Sequence, residues 1–343
     1  MIDPWFVENL VCPIDRQPIA LRNNALICPA NHAYPIVDGV PVMLVPGAEQ
    51  TIDVMNASLD RAASKTVDQR APELHLESLG ISEEEKQGVL DLSQRGSTID
   101  PVVAYLVAAT NGLMYRHLIG ALDRYPVPEL PLPPGQGRSL LDVGCSWGRW
   151  TLAAHQRGYD AIGIDPSLGA VMAARRVARQ LGVAVRHVVG DARHLPFATR
   201  RFDCVYSYSV LQHLSRADAA TAVSEIGRVL VDGGVAKVQM PTRFGLRCLY
   251  HQARRGFREG HGFEVRYWSL PALRHLFGEG VGRNRVDADC YFGIGLQVAD
   301  APLMTGRLKR VLSASEWLKG VSRRFPPLVW AADSVFVEAA RGR

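Results

Sequence analysis

Short apolar runs and helix-period segments alternate through the second half of the chain. Leu140-Leu141-Asp142-Val143 reads as a buried strand, and a turn bracketed by Gly144 and Gly148 leads into a helical pattern from Trp147 to Arg157. The same punctuation repeats downstream. Ala161–Ile164 predicts a second strand, Ser167–Leu181 a helix, Val185–Val189 a third strand and Phe202–Tyr206 a fourth. A helix over Ala217–Leu230 stops at Asp232-Gly233-Gly234, and Val235–Met240 supplies a fifth strand. Arg285–Phe292 and Ser334–Ala339 read as the last two strands, with a helix at Leu308–Leu318 between them. Alternation of this kind predicts an α/β fold, a Rossmann-like sheet of seven strands.

The first 138 residues read differently. Over 1–47, short apolar runs, prolines and an Asn-Asn turn without helical period predict a compact β module. The mixed, polar stretch 48–80 reads as a linker with a short helix. Ser82, followed by Glu83, Glu84 and Glu85, marks the start of a helix through Val89 and Leu90. Asp100-Pro101 starts another, whose apolar positions include Val102, Val103, Leu106 and Val107. Thr110, Asn111, Gly112 and Tyr115 interrupt it, either to face a ligand or to end the helix. The proline-rich stretch Tyr125–Pro134 is a stiff connector. Three units result: a small β-rich module at 1–47, a linker and helical cap at 48–138, and an α/β domain at 139–343 carrying an insert at 241–332.

Candidate chemistry gathers at one sheet edge. Three successive strands end in Asp165, in Gly190-Asp191-Ala192 and in Ser207-Tyr208-Ser209. Ligands of open α/β sheets bind at that carboxyl edge. Asp165 lies roughly 20 residues beyond the glycine turn, where a carboxylate reaches ribose hydroxyls in nucleotide-binding folds. It also precedes Pro166, where it would cap a helix. Glycines in the turn let the backbone approach a ligand closely. The turn reads G-C-S-W-G, not the G-x-G-x-x-G of a dinucleotide fold.

LLDVGCSWGRW at 140–150, GIDPS at 163–167, GDARHLPF at 190–197 and FDCVYSYSVLQHL at 202–214 together resemble the class I S-adenosylmethionine-dependent methyltransferases of the type 11 group. The resemblance covers about 139–240. It implies S-adenosylmethionine as cofactor and in-line methyl transfer, in which the protein positions the nucleophile and excludes water. By the same resemblance Gly144, Cys145 and Gly148 lie against the methionine and ribose. Asp142 accepts from the methionine amine or orders the loop, and Asp165, with Pro166 beside it, accepts from both ribose hydroxyls. Asp191 meets the adenine amino group, with Ala192 beside the ring. Ser207 and Tyr208 line the wall beneath the methyl group. An oxygen nucleophile of high pKa needs a base, and His213 in L-Q-H-L is the candidate, with Tyr208 as a second. A buried, bonded histidine at a helix start would look the same. Arg254, Arg255 and Arg258 form a basic cluster able to hold an anionic acceptor, or simply a solvated helix face. The D/N-P-P-Y of base-amine methyltransferases and the C-x-x-x-C-x-x-C of radical enzymes do not occur.

The pieces L-V-C-P, A-L-I-C and A-Y-P-I-V-D-G-V-P-V-M-L of the first module resemble the small zinc-ribbon-like activator found free or fused beside certain methyltransferases. Zinc ribbons use C-x-x-C pairs around a tetrahedral ion. Here Cys12 is followed by Asp15, and Cys28 by His32. The module is therefore expected to be metal-depleted, with Cys12, Asp15, Cys28 and His32 as the ligand set if there is one.

Charge splits the chain. Residues 1–138 hold 10 Lys+Arg against 17 Asp+Glu, and 139–343 hold 29 against 17. The basic half suits an anionic partner or plain solvation. Six scattered cysteines, an N-terminus without a basic cluster and no long apolar run fit a cytoplasmic protein without a transmembrane segment. The expected acceptor is a small molecule or glycan methylated on oxygen. RNA is the alternative, although no aromatic-plus-basic stacking surface for a single strand stands out. A non-catalytic cofactor-binding partner subunit is the third reading.

Overall fold

Asp3 and Pro4 begin the chain with a helix. Asp3 accepts the Trp5 amide and Pro4 takes the first helical position, so α1 (Pro4–Asn9) precedes the expected β module. The computed structural model describes residues 2–48, 53–111, 113–293 and 297–342. Four short antiparallel strands follow in order: β1 (Ala20–Arg22), β2 (Ala25–Ile27), β3 (Ala33–Val37) and β4 (Val40–Pro41). Asn23 and Asn24, both at positive φ, make the turn between the first two.

This module is fused to the main body. The Met43 amide donates to the Val189 carbonyl at 2.7 Å and the Val11 amide to the Pro196 carbonyl at 3.0 Å. Phe6, Leu10, Tyr34 and Met43 share one apolar cluster with Val188, Leu195 and Phe197. The contact covers a strand edge that would otherwise expose unpaired amides.

The segment expected to be a linker is docked as well. α2 (Val54–Ala62), α3 (Glu83–Arg95) and α4 (Pro101–Asn111) form the cap. A capping box at Ser82 and Glu85 starts α3, as its sequence predicts. Ser58 and Ser78 are fully buried, and their hydroxyls accept the Leu168 and Gly169 amides at 2.9 and 2.8 Å. Ser167 accepts the Ala170 amide at 3.1 Å. Three serines from three parts of the chain thus satisfy successive orphan amides at one helix start.

The central domain runs β5 (Ser139–Val143), α5 (Arg149–Gln156), β6 (Asp160–Asp165), α6 (Leu168–Gln180), β7 (Arg186–Val189), β8 (Phe202–Ser207), α7 (Arg216–Val229) and β9 (Leu230–Pro241). It continues with α8 (Leu246–Arg254), α9 (Leu270–Gly280), β10 (Gly282–Cys290), α10 (Gly306–Ser322) and β11 (Ser334–Arg341). The sheet order is β10-β11-β9-β8-β5-β6-β7, with β11 antiparallel to both neighbours. This is a Rossmann-like seven-stranded sheet. The chain leaves β5 toward β6 on one side and reaches β8 on the other, so a crevice opens beyond the end of β5.

Candidate functional site

The loop after β5 is shaped by backbone that only some residues tolerate. Gly144 has φ +78°, and a Cβ there would lie 2.2 Å from Val210 Cγ2. Its amide and that of Cys145 donate to the Ile164 carbonyl at 2.8 and 3.0 Å, tying the loop to β6. Ser146 sits at φ +45° and points its amide at Asp165 Oδ2, 3.0 Å away. Asp165 Oδ1 accepts the Ser167 amide at 2.9 Å. A carboxylate offers about four lone-pair sites, so about two remain for a ligand.

Asp142 is fully buried beneath this loop. Its Oδ2 accepts the Thr151 hydroxyl at 2.7 Å, and its Oδ1 has no partner among the described residues. Burial pushes the Asp142 carboxyl up to about 7, although the Thr151 bonds oppose it. Burial also raises Asp165, to about 6, against the two amides that lower it. Two acids held near neutrality, one with an orphaned oxygen, form a cradle for a cation and for vicinal hydroxyls.

The other expected cofactor residues are placed unequally. Pro166 and Ala192 are part-exposed at the same edge, and Gly148 starts α5 at φ +84°. The Cys145 thiol is buried against Gly163. Asp191 is occupied: Arg193 Nε meets both of its oxygens, at 3.1 and 2.9 Å. The adenine role expected of its carboxylate therefore competes with a buried ion pair. Ser207 is buried and donates to the Val143 carbonyl at 2.9 Å, bridging two strand ends.

The two catalytic candidates are committed elsewhere. Tyr208 donates to Asp289 at 3.1 Å and accepts from Gln297 at 2.9 Å, and its burial raises the phenol well above its ordinary value. His213 stacks on Phe263 at 3.9 Å, with Nδ1 2.6 Å from the Phe263 carbonyl. A carbonyl only accepts, so Nδ1 carries the proton and Nε2 accepts from Gln212 at 3.1 Å. Burial pushes this histidine down to about 4, despite that carbonyl bond. With Nδ1 protonated and Nε2 accepting from Gln212, His213 presents no free lone pair in this arrangement.

The basic cluster is largely spent too. Arg258 forms a bidentate pair with Glu264 at 2.8 and 2.9 Å, and Arg255 donates to the Val265 carbonyl at 2.8 Å. Arg254 stays exposed over the Tyr250 ring. Of the four residues that interrupt the cap helix, Gly112 and the Thr110 side chain lie outside the described residues. Tyr115 donates to Asp300 in a buried network with Arg149. Asn111 is buried, with neither amide atom bonded among the described residues.

Gln239 escaped the sequence reading. It is fully buried, accepts the Ser209 amide at 3.0 Å, and leaves its Nε2 unpaired among the described residues. The signal was a lone amide inside the apolar strand V-A-K-V-Q-M.

In the first module, the four residues named as a conditional ligand set converge. Cys12 Sγ and Cys28 Sγ lie 3.4 and 3.3 Å from His32 Nδ1. Asp15 Oδ2 lies 3.5 Å from Cys28 Sγ and 3.3 Å from His32 Nδ1. Tetrahedral zinc with ordinary bond lengths requires ligand separations of about 3.3–3.8 Å. The four ligand atoms all lie within 4.8 Å of one another, a grouping able to hold one metal ion.

Residues 140–234 match the family described as "methyltransferase domain". The chain is similar to the ubiquinone biosynthesis O-methyltransferase of Azorhizobium caulinodans, 31% identical over 112 residues, 33% of this chain and 44% of that protein. It is also similar to a UPF0434 protein of Paraburkholderia phymatum, 49% identical over 55 residues, 15% of this chain and 82% of that protein. Among solved structures, YcgJ of Bacillus subtilis is 20% identical with a TM-score of 0.42, covering 61% of this chain and 94% of that one. The chain spans about half the length of the curated methyltransferases it matches.

Proposed function

We propose that this chain, through the domain at 140–234 that matches the methyltransferase family, is a class I S-adenosylmethionine-dependent methyltransferase acting on an oxygen of a small-molecule or glycan acceptor. The acid cradle at the end of β5 and β6 carries the cofactor half of this reading. S-adenosylmethionine, when bound, supplies a methyl group on a positively charged sulfur. Asp142 Oδ1 is the acceptor available to its amine, and Asp165 keeps about two lone-pair sites for its ribose hydroxyls. The named activity of the A. caulinodans relative supports oxygen as the acceptor atom. The state of His213 narrows it further. With no free base there, an acceptor with an acidic hydroxyl, such as a phenol or enol, suits the site best. The chain's own part is then to orient that oxygen and exclude water.

For the first module the reading includes one zinc ion on Cys12, Asp15, Cys28 and His32, held as a structural centre.

Isotope tracing tests the acceptor. Cells with and without the gene are fed methyl-labelled methionine, and small molecules, glycans and RNA are compared. A gene-dependent labelled methyl ether in the first two fractions is expected. Label confined to RNA would replace this reading with the nucleic-acid alternative.

Cofactor binding should also depend on pH. Asp142 and Asp165 must be ionised to hold a cation and hydroxyls, and in the free protein they lie at about 7 and about 6. Affinity is expected to rise from pH 5.5 and level off above about 7.5, a gain of about tenfold or more. Asp142→Asn should remove the upper part of that rise in calorimetric titrations. A flat profile in the wild type would remove the cradle from the assignment.

A further inference from the structure

Helix α8 is held to the protein along one side and bare along the other. Asp333 Oδ1 caps its start from the bend just before β11, accepting the Arg247 and Cys248 amides at 2.8 and 3.1 Å. Cys248 and Gln252 face inward, and Gln252 donates to the Arg243 carbonyl at 2.8 Å. The opposite face repeats Leu246, Leu249, Tyr250 and Ala253, at i, i+3, i+4 and i+7. Leu246 is 64% exposed and Tyr250 57%. Exposed Phe244 precedes the helix and exposed Phe257 follows it. The Phe244 ring lies 6.4 Å from that of Trp330, also exposed, which carries the apolar surface to the turn before β11. Scattered apolar residues on a surface need no account, but a helical stripe joined to aromatic side chains does.

The surrounding charge says what would cover it. Arg243 and Arg254 are exposed on this segment, and exposed Arg323 and Arg324 directly precede the Phe325–Trp330 turn. No acid occurs between 243 and 258. An apolar stripe rimmed by guanidinium groups complements an anionic bilayer. The apolar side chains enter the boundary between headgroups and acyl chains, while the arginines meet phosphates. We propose that α8, with Phe244, Phe257 and Trp330, docks this chain on the surface of an anionic lipid bilayer. No described helix is long and apolar enough to cross a membrane, so the helix would lie in the interface. The proposal is independent of the methyl acceptor, and its test uses neither cofactor nor acceptor.

Vesicle flotation of the full chain tests it. The protein is expected to float with phosphatidylcholine vesicles containing about 30% phosphatidylglycerol at about 50 mM salt. Capture should be roughly tenfold weaker with phosphatidylcholine alone, and weaker again at about 500 mM salt. The double variant L246E/L249E should lose about tenfold or more in binding, and R243E/R254E a similar amount. Both variants should keep the wild-type melting temperature, because the changed side chains are exposed. Folded wild-type protein that does not float, or flotation unchanged in L246E/L249E, overturns the proposal. A solution dimer that L246E/L249E dissolves, with no vesicle capture, assigns the face to a second copy of the chain and overturns it too.

Discussion

Asp165→Ala is expected to weaken S-adenosylmethionine binding by about 1.5–3 kcal/mol, roughly tenfold to over a hundredfold. Charge-assisted hydrogen bonds to both ribose hydroxyls would be lost. The variant also takes the acceptor from the Ser146 and Ser167 amides, so the loop that holds Ser146 at φ +45° loosens. Asp165→Asn separates the two effects, since its carbonyl still accepts one amide. A melt at pH 8 guards against unfolding as the cause. The Asp165 carboxyl is raised in the folded chain, to about 6, so its contribution to stability is complete below the unfolded value and lost as pH rises through 6. Removing its charge at pH 8 should therefore relieve a cost. Unchanged calorimetric affinity in Asp165→Ala would end the ribose assignment.

Cys12→Ser is expected to strip a zinc ion and to unfold the first module. Wild-type protein should carry about one zinc per chain by elemental analysis, and the variant almost none. Structural zinc is worth about 10–16 kcal/mol in isolated finger peptides. The loss here should be smaller, because Phe6, Leu10 and Met43 also pack into the main core. A clear fall in melting temperature and a tendency to aggregate are still expected. When the module opens, β7 loses the Met43 bond to Val189 that covers its edge, and Pro196 loses the Val11 amide. Protein purified from zinc-replete cells with no bound zinc would return the module to the metal-depleted state.

Much of the fold was legible because its signals are local. Apolar runs at 140–143, 161–164 and 202–206 became β5, β6 and β8, and Ser82 with Glu85 started α3. The first helix was missed although Asp3-Pro4 carries its signal, because the module around it has strand-like punctuation. Helix α9 was missed as well. It lies in the insert after β9, where the sequence reading names a helix only at Leu308–Leu318.

By itself the sequence determined the strand and helix alternation, the glycine turn and the acid at the end of β6. Each depends on residues within about one or two turns of one another, and backbone geometry turns such spacing directly into structure. Only the tertiary structure decided which polar groups remain available. Glu264 occupies Arg258, the Phe263 carbonyl and Gln212 settle the tautomer of His213, and Arg193 holds Asp191. Ser58 and Ser78, read as linker, cap a helix at residues 110 and 91 positions away. Cys12 and His32, separated by 20 positions, come within 3.4 Å. Partnerships of this kind depend on where the folded chain returns upon itself, and no spacing along the sequence encodes the direction in which a distant side chain will approach.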